Sequence, residues 1–149
     1  MIATVDLAVL HDELNILLQR IKSGKIWQTK PFDQTPQKMR RLNDIAFSGN
    51  GEPTAYPKLG HAVRLVVGLK AAHELDQVKL VLITNASLLT RPNVLRALKT
   101  LDQNQGEVWA KLDVGNDSAY RMINRSPVPF QRIVSNLIER YNQNLWMTS

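Results

Sequence analysis

Apolar residues recur at steps of three and four in several stretches of the chain, the spacing that places side chains on one face of a helix. The first stretch runs from Leu7 to Ile21 and stops before Gly24, a common helix terminator. The pattern predicts five helices. The later four cover Pro57 to Ala71, Thr90 to Asp102, Asn116 to Arg125, and Phe130 to Tyr141, and Thr90 is the predicted N-cap of the second of these four.

Three short apolar runs between the helices predict strands. In the run VKLVLIT, Val78 to Thr84, polar residues hardly alternate with apolar ones, which is typical of a strand buried on both faces of a parallel sheet. Asp44 to Gly49 and Glu107 to Asp113 are the other two. Strands that alternate with helices pair in parallel through right-handed crossovers, so the predicted fold class is α/β. Three strands make a thin sheet, and we therefore expect the chain to be part of something larger.

Composition narrows the kind of protein. With 149 residues, of which 44% are hydrophobic and 21% charged, the chain fits one soluble globular domain. No apolar run approaches the roughly 18 to 20 residues that cross a bilayer, and the first residues lack the basic start of a signal peptide. We therefore expect a cytoplasmic protein with no membrane partner.

The sequence contains no cysteine, which excludes a disulfide framework, a cysteine zinc site and an iron–sulfur cluster held by this chain alone. The three histidines, His11, His61 and His73, lie on predicted helices at unrelated spacings, so no metal site is predicted. Walker, dinucleotide-binding, Ser-His-Asp and zinc signatures are absent as well.

The distribution of charge indicates one kind of partner. Nineteen Lys and Arg against thirteen Asp and Glu give a net charge of +6, which favours polyanions such as RNA. Six of the basic residues lie between Lys22 and Arg41, a stretch in which Asp33 is the single acidic residue and Trp27 and Phe32 are interleaved. This stretch predicts either the binding of tRNA or another RNA, or a solvated connector between a helix and a strand.

Polar residues gather where the three predicted strands end, which is where parallel α/β sheets hold their functional groups. After the first strand, Gly49 and Gly51 permit positive φ and close approach of a ligand, and Glu52 can accept hydrogen bonds from an amine. Asn85 follows the second strand and can both donate and accept. These groups, with Lys111 near the end of the third strand, would suit a small zwitterion that carries a sugar.

Each of these residues also has a structural explanation. Glu52 can cap the helix that follows it, and Asn85 can satisfy the backbone of its own turn. Lys111 and Asp113 lie two residues apart, so their side chains point to the same side of the strand and can pair with each other. The local sequence leaves both explanations open.

Three motifs, in order at the ends of successive predicted strands, carry a resemblance to a known family. They are FSGNGEPT, ITNASLL and VWAKLDVGNDSAYRMINR. On these motifs, the sequence from about Asp44 to Asn136 resembles the radical S-adenosylmethionine (radical SAM) superfamily, in particular iron–sulfur oxidoreductases similar to wyosine-forming tRNA enzymes. The resemblance implies a partial (β/α) barrel and reductive cleavage of S-adenosylmethionine beside a [4Fe–4S] cluster.

The resemblance also implies which residues bind the cofactor. They are Gly49, Asn50, Gly51, Glu52, Asn85, Lys111 and Asp113. The first four match the turn that receives the methionine amino group, Asn85 would lie near the ribose or the methionine, and the last two would line the mouth of the barrel. Ala86 stands where the family has glycine, and a positive φ there is costly for alanine.

The family holds its cluster with a Cys-x-x-x-Cys-x-x-Cys motif that this sequence lacks. No catalytic or metal-binding residue is therefore assigned, and we expect a truncated chain, inactive alone, that keeps part of the S-adenosylmethionine site. Another chain would supply the missing barrel segment. One alternative is a non-catalytic basic module, derived from that fold, that binds RNA or protein. Another is an unrelated α/β domain whose Gly-Glu turn holds a different nucleotide. We expect one partial domain over 1–149, with a helix and basic connector at 1–43, strand–helix units at 44–136 and a helix end and tail at 137–149.

Overall fold

The computed structural model describes residues 5–49, 51–112 and 128–142. The helices are α1 (Leu7–Lys22), α2 (Leu59–Ala72), α3 (Pro92–Asp102) and α4 (Phe130–Asn142), and the strands are β1 (Asp44–Phe47), β2 (Lys79–Thr84) and β3 (Gly106–Ala110). Short 3₁₀ helices cover Lys25–Gln28, Phe32–Gln34, Gln37–Met39 and Pro53–Ala55. The helix predicted over Asn116 to Arg125 lies outside the described residues.

The three strands form one parallel sheet in the order β1–β2–β3. Ile45 lies opposite Leu80, and Leu82 lies opposite Val108. This arrangement confirms the α/β class and the expectation that the strand at Val78 to Thr84 has a neighbour on each side. In the described part of the chain the sheet is open, and the partial barrel is not shown; a barrel of this kind closes with about eight strands.

The core lies on β2 and the helices that cover it. Leu80, Val81 and Leu82 are each 0% exposed, and because successive side chains of a strand point to opposite faces, β2 is buried on both. Helices α2 and α3 pack against each other and contribute Val63 and Leu98 to the cluster that includes Leu80 and Leu82. Burial of each such side chain stabilises the fold by about 1.5 to 3 kcal/mol.

The sequence signals predicted the end of α1 correctly but not the start of α3. Asp6 caps α1 by accepting from the backbone N–H of Ala8 at 2.8 Å, and Gly24 follows the helix with φ +73°, as its role of terminator requires. The N-cap predicted at Thr90 is wrong, because α3 begins at Pro92 and is preceded by Arg91 in an extended conformation. Proline disfavours a helical conformation in the residue before it, which fixes this boundary.

Candidate functional site

The strands end around an open pocket of about 210 Å³. Its lining residues are Ser48, Gly49, Gly51, Glu52, Ile83, Thr84, Asn85 and Lys111. The structure therefore brings together five of the seven residues expected from the sequence to bind a cofactor. The other two, Asn50 and Asp113, lie outside the described residues. We refer to this cavity as the carboxyl-end pocket.

Glu52 joins the turn after β1 to the end of β2. Its Oε1 accepts hydrogen bonds from the N–H of Thr54 at 3.1 Å, from Oγ1 of Thr54 at 2.5 Å and from Oγ1 of Thr84 at 2.5 Å. Its Oε2 accepts from the N–H of Asn85 at 2.8 Å. Glu52 thus caps the 3₁₀ helix Pro53–Ala55, which agrees with its structural explanation. It also links the turn after β1 to the end of β2.

The end of β2 turns sharply through two unusual residues. Oδ1 of Asn85 accepts from the N–H of Ser87 at 2.9 Å, a local turn of the kind that asparagine favours. Ala86 then adopts φ +61°, a positive value that is costly for alanine, and its methyl group is buried. Asn136 of α4 holds this turn by donating from Nδ2 to the carbonyl of Ala86 at 2.9 Å.

Lys111, Gly49 and Gly51 also line the pocket. The N–H of Lys111 donates to the carbonyl of Thr84 at 2.8 Å, and its exposed ammonium has no partner among the described residues. The predicted pairing of Lys111 with Asp113 involves a residue outside the described part of the chain. The φ of Gly49 is not positive, and a Cβ at Gly49 or Gly51 would meet no heavy atom within 4 Å. The fold therefore leaves free space beside the backbone at both positions.

A second cavity, an apolar groove of about 720 Å³, adjoins the pocket on the side of β1. It lies between α1, β1 and α2 and includes Leu14, Phe47 and Leu59. Tyr56 also lines it and donates from its hydroxyl to the carbonyl of Val5 at 3.0 Å. Pocket and groove share the residues Ser48, Gly49, Gly51 and Glu52. We refer to this second cavity as the apolar groove.

Three residues that build the site did not come from the sequence reasoning. Thr54 and Thr84 are 0% and 1% exposed and donate their hydroxyls to Glu52, and Asn136 is 5% exposed within an otherwise apolar helix face. The available signal was their position: a polar residue at the end of an apolar strand, or on the buried face of a helix, needs an internal partner.

Within the described residues, no group of three or more His, Cys, Asp or Glu could hold a metal ion. No helix of the described part is both long and apolar enough to span a membrane.

Comparison with known proteins gives one partial match. No protein-family model and no solved structure matches the chain. A curated protein named GTPase Obg, from Brachyspira hyodysenteriae (strain ATCC 49526 / WA1), is 29% identical over 102 residues. The aligned region covers 67% of this chain and 14% of that protein, so the chain spans about a seventh of the relative's length.

The match corrects the family and the function expected from the sequence. It points to a GTPase and away from the radical SAM superfamily, so the resemblance based on the three strand-end motifs is wrong, as are the radical SAM and iron–sulfur oxidoreductase functions drawn from it. The alternative of a non-catalytic module derived from that fold is wrong with it. The physical reason lies in the motifs themselves, since Glu52 and Asn85 are bonded within their own turns. Such residues are required by turn geometry whichever ligand is bound.

Proposed function

We propose that the chain binds a nucleoside-containing small molecule, with the sugar and any charged group in the carboxyl-end pocket and the base in the apolar groove. The observation that carries this proposal is the shared border of the two cavities at Ser48, Gly49, Gly51 and Glu52. Ligand sites typically combine an apolar lining with a few well-placed polar groups. A pocket of about 210 Å³ beside a groove of about 720 Å³ offers that combination.

The polar end offers donors that suit a ribose, a phosphate or a carboxylate. Lys111 supplies an exposed ammonium group, and the Nδ2 of Asn85 has no partner in the described part of the chain. The free space at Gly49 and Gly51 allows a ligand to approach the backbone. Glu52 is not a ligand group in this proposal, because its oxygens already accept four hydrogen bonds; it keeps the pocket in shape.

The apolar end offers surfaces for a planar base. Phe47 and Tyr56 place two aromatic rings in the lining of the groove, and bases stack well on such rings. The bond from Tyr56 to the carbonyl of Val5 fixes the direction of one of them. A ligand with one polar end and one flat apolar end therefore matches the pair of cavities better than a simple anion does.

Guanine nucleotides are the first candidates, since the similar protein is named a GTPase. The sequence has no Walker A motif, so we propose binding and not hydrolysis. S-adenosylmethionine is the second candidate. It is a small zwitterion that carries a sugar, which is the ligand class that the polar residues at the strand ends suit.

Isothermal titration calorimetry on the full chain tests the proposal with four ligands: GDP, GTP, S-adenosylmethionine and inorganic pyrophosphate. We expect one of the three nucleoside ligands to bind and pyrophosphate alone to bind much more weakly, because it cannot occupy the groove. The tighter-binding ligand shows whether the site prefers a guanine nucleotide or S-adenosylmethionine. Equal binding of pyrophosphate, or no binding by any ligand, would overturn the proposal.

Glycine substitutions locate the bound ligand. Gly49→Ala and Gly51→Ala add a methyl group in free space, so we expect an unchanged thermal midpoint but at least about a tenfold loss of affinity, or about 1.4 kcal/mol. Gly68→Ala is the matched control, because a Cβ there also meets no atom within 4 Å and Gly68 lies on α2, outside both cavities. Equal affinity in all three variants would place the ligand elsewhere and refute the site.

A further inference from the structure

We propose that the segment from Lys22 to Arg41, which connects α1 to β1, binds single-stranded nucleic acid through lysine–phosphate contacts and an aromatic stacking surface. This segment carries six basic residues and one acidic residue, Asp33, so its net charge is +5 in twenty positions. The proposal concerns a surface formed by other residues than those of the carboxyl-end pocket. We refer to the segment as the basic connector.

The connector is folded, which fixes the backbone that carries its charged side chains. Three 3₁₀ helices follow one another, and Ile26 is 6% exposed and anchors the first of them in the protein. Arg20 of α1 donates to Oγ1 of Thr29 at 3.1 Å, and Arg40 donates to the carbonyl of Thr35 at 2.9 Å. A preformed surface loses less conformational entropy on binding than a flexible loop does.

The structure separates the basic side chains into two groups. Lys22, Arg40 and Arg41 are held by internal partners: Lys22 by Glu74 at 2.7 Å, and the two arginines by a backbone carbonyl and by Asn43. The other three, Lys25, Lys30 and Lys38, are exposed, and their side chains make no hydrogen bond or ion pair with another described residue. The backbone carbonyl of Lys25 does accept from Oγ1 of Thr29 at 3.1 Å. The ammonium groups of these three lysines are therefore free to contact phosphates, and each contact releases condensed counterions.

An aromatic pair lies among these lysines. The rings of Trp27 and Phe32 meet edge to face, with centroids 6.4 Å apart and an interplanar angle of 90°. Phe32 remains 44% exposed, and Met39, further along the connector, is 60% exposed. Phe32 thus offers an exposed ring with Lys30 and Lys38 on either side of it in the sequence, and single-stranded bases stack on such rings with little dependence on base identity.

Fluorescence anisotropy with a labelled single-stranded RNA of mixed sequence tests the proposal across a series of salt concentrations. The main variant changes Lys25, Lys30 and Lys38 together to Gln. For single strands the slope of log affinity against log salt is about 0.7 per phosphate contact, so we expect its magnitude to fall by about 2. The matched control changes Lys58, Arg96 and Lys99 together to Gln, which removes the same charge from exposed positions outside the connector. We expect the salt slope of this control to equal that of the wild type.

The aromatic part has its own test. Phe32→Leu keeps an apolar side chain but removes the ring, so we expect about a tenfold loss of affinity with an unchanged salt slope. Heparin, a polyanion without bases, should bind this variant and the wild type equally. Binding of RNA should also persist in the presence of whichever nucleoside ligand fills the carboxyl-end pocket, and in its absence.

Three outcomes would overturn the proposal. Equal losses in the two triple variants would mean that only the net charge matters. An unchanged RNA affinity in Phe32→Leu would remove the stacking surface and leave a general polyanion site. The absence of RNA binding at low salt would exclude the interaction itself. None of these outcomes bears on the proposed nucleoside site.

Discussion

Strands β1 and β2 lie side by side in one sheet, yet their surroundings differ. In β2, Leu80, Val81 and Leu82 are each 0% exposed, whereas in β1 Ala46 is exposed and Phe47 is only half-buried. β2 has a paired strand on each side, while β1 pairs only with β2 in the described part of the chain and borders the apolar groove. The buried core is therefore concentrated around β2, and the apolar groove lies on the side of β1.

The largest expected effect tests the β2 side directly. Leu82→Ala removes a fully buried side chain at the centre of the core, so we expect the free energy of unfolding to fall by about 2 to 5 kcal/mol. Leu17→Ala on α1 makes the same chemical change at a side chain that is 42% exposed, and we expect a loss of less than about 1 kcal/mol. Urea denaturation followed by circular dichroism measures both. Similar losses would show that the exposed face of α1 is covered in solution, which would break the comparison.

Gly106 and Gly49 differ in the space available for a Cβ atom. A Cβ at Gly106, where β3 begins, would lie 2.5 Å from backbone atoms of Leu101, so Gly106→Ala should destabilise the protein by about 1 to 3 kcal/mol. At Gly49, beyond the end of β1, a Cβ meets no heavy atom within 4 Å, and Gly49→Ala should leave the free energy of unfolding within about 0.5 kcal/mol. Thermal and urea unfolding compare the two variants.

The control for these variants is Gly68→Ala on α2. It lies in a helix with free space around it, so alanine should stabilise the protein by about 0.5 to 1 kcal/mol. If Gly106→Ala were as stable as Gly49→Ala, the backbone at the start of β3 would have as much free space beside it as the backbone after β1. The difference between the two regions would then rest on burial alone.

The β2 side was also the part that the sequence predicted best. An aliphatic run without alternation leaves few possibilities besides a doubly buried strand, and the periodic stripes placed α1 and α2 to within a residue or two. The turns were predicted less well. The 3₁₀ helices of the basic connector have no apolar period, and the start of α3 depends on the restriction that Pro92 places on Arg91.

The sequence predicted where the candidate site lies, but not which hydrogen bonds its residues make. Parallel topology brings strand ends together, which is sufficient to place Glu52 near Asn85. The sequence does not reveal that Thr54 and Thr84 occupy the carboxylate of Glu52, because that depends on the register of two strands and the path of a turn. The same missing information made a turn-capping glutamate resemble a cofactor ligand, and hence led to the wrong family.

Glu52 connects the two regions, and the third prediction tests this connection. In Glu52→Gln an amide nitrogen replaces one acceptor oxygen, so the backbone N–H of either Thr54 or Asn85 loses its acceptor. We expect the free energy of unfolding to fall by about 1 to 2 kcal/mol. Glu13→Gln, at an exposed site on α1, is the control and should have almost no effect. Equal stabilities in the two variants would mean that the turn after β1 does not depend on β2.

The smallest expected effect concerns Lys70, a buried charge near the end of α2. Its side chain is 6% exposed and donates to the carbonyl of Asn104 at 3.1 Å and to Oε1 of Gln105 at 2.7 Å. Burial lowers the pKa of Lys70, and the negative charge of Asp76 partly opposes this shift. Between this lowered value and about pH 10.4, where a free lysine titrates, the unfolded chain binds more protons than the folded chain. The contribution of Lys70 to stability therefore rises with pH in this window.

We expect the stability difference between the wild type and Lys70→Gln to increase with pH in that window, with a slope below the roughly 1.4 kcal/mol per pH unit of one whole proton. Urea unfolding at several alkaline pH values measures this difference, and Lys99→Gln, at an exposed position on α3, is the control. Asp76→Asn removes the opposing charge, so it should extend the window to lower pH. A flat profile for Lys70→Gln would mean that water reaches this ammonium group as freely as it reaches the exposed lysines. The interior side around β2 would then be more open than the burial of its strand indicates.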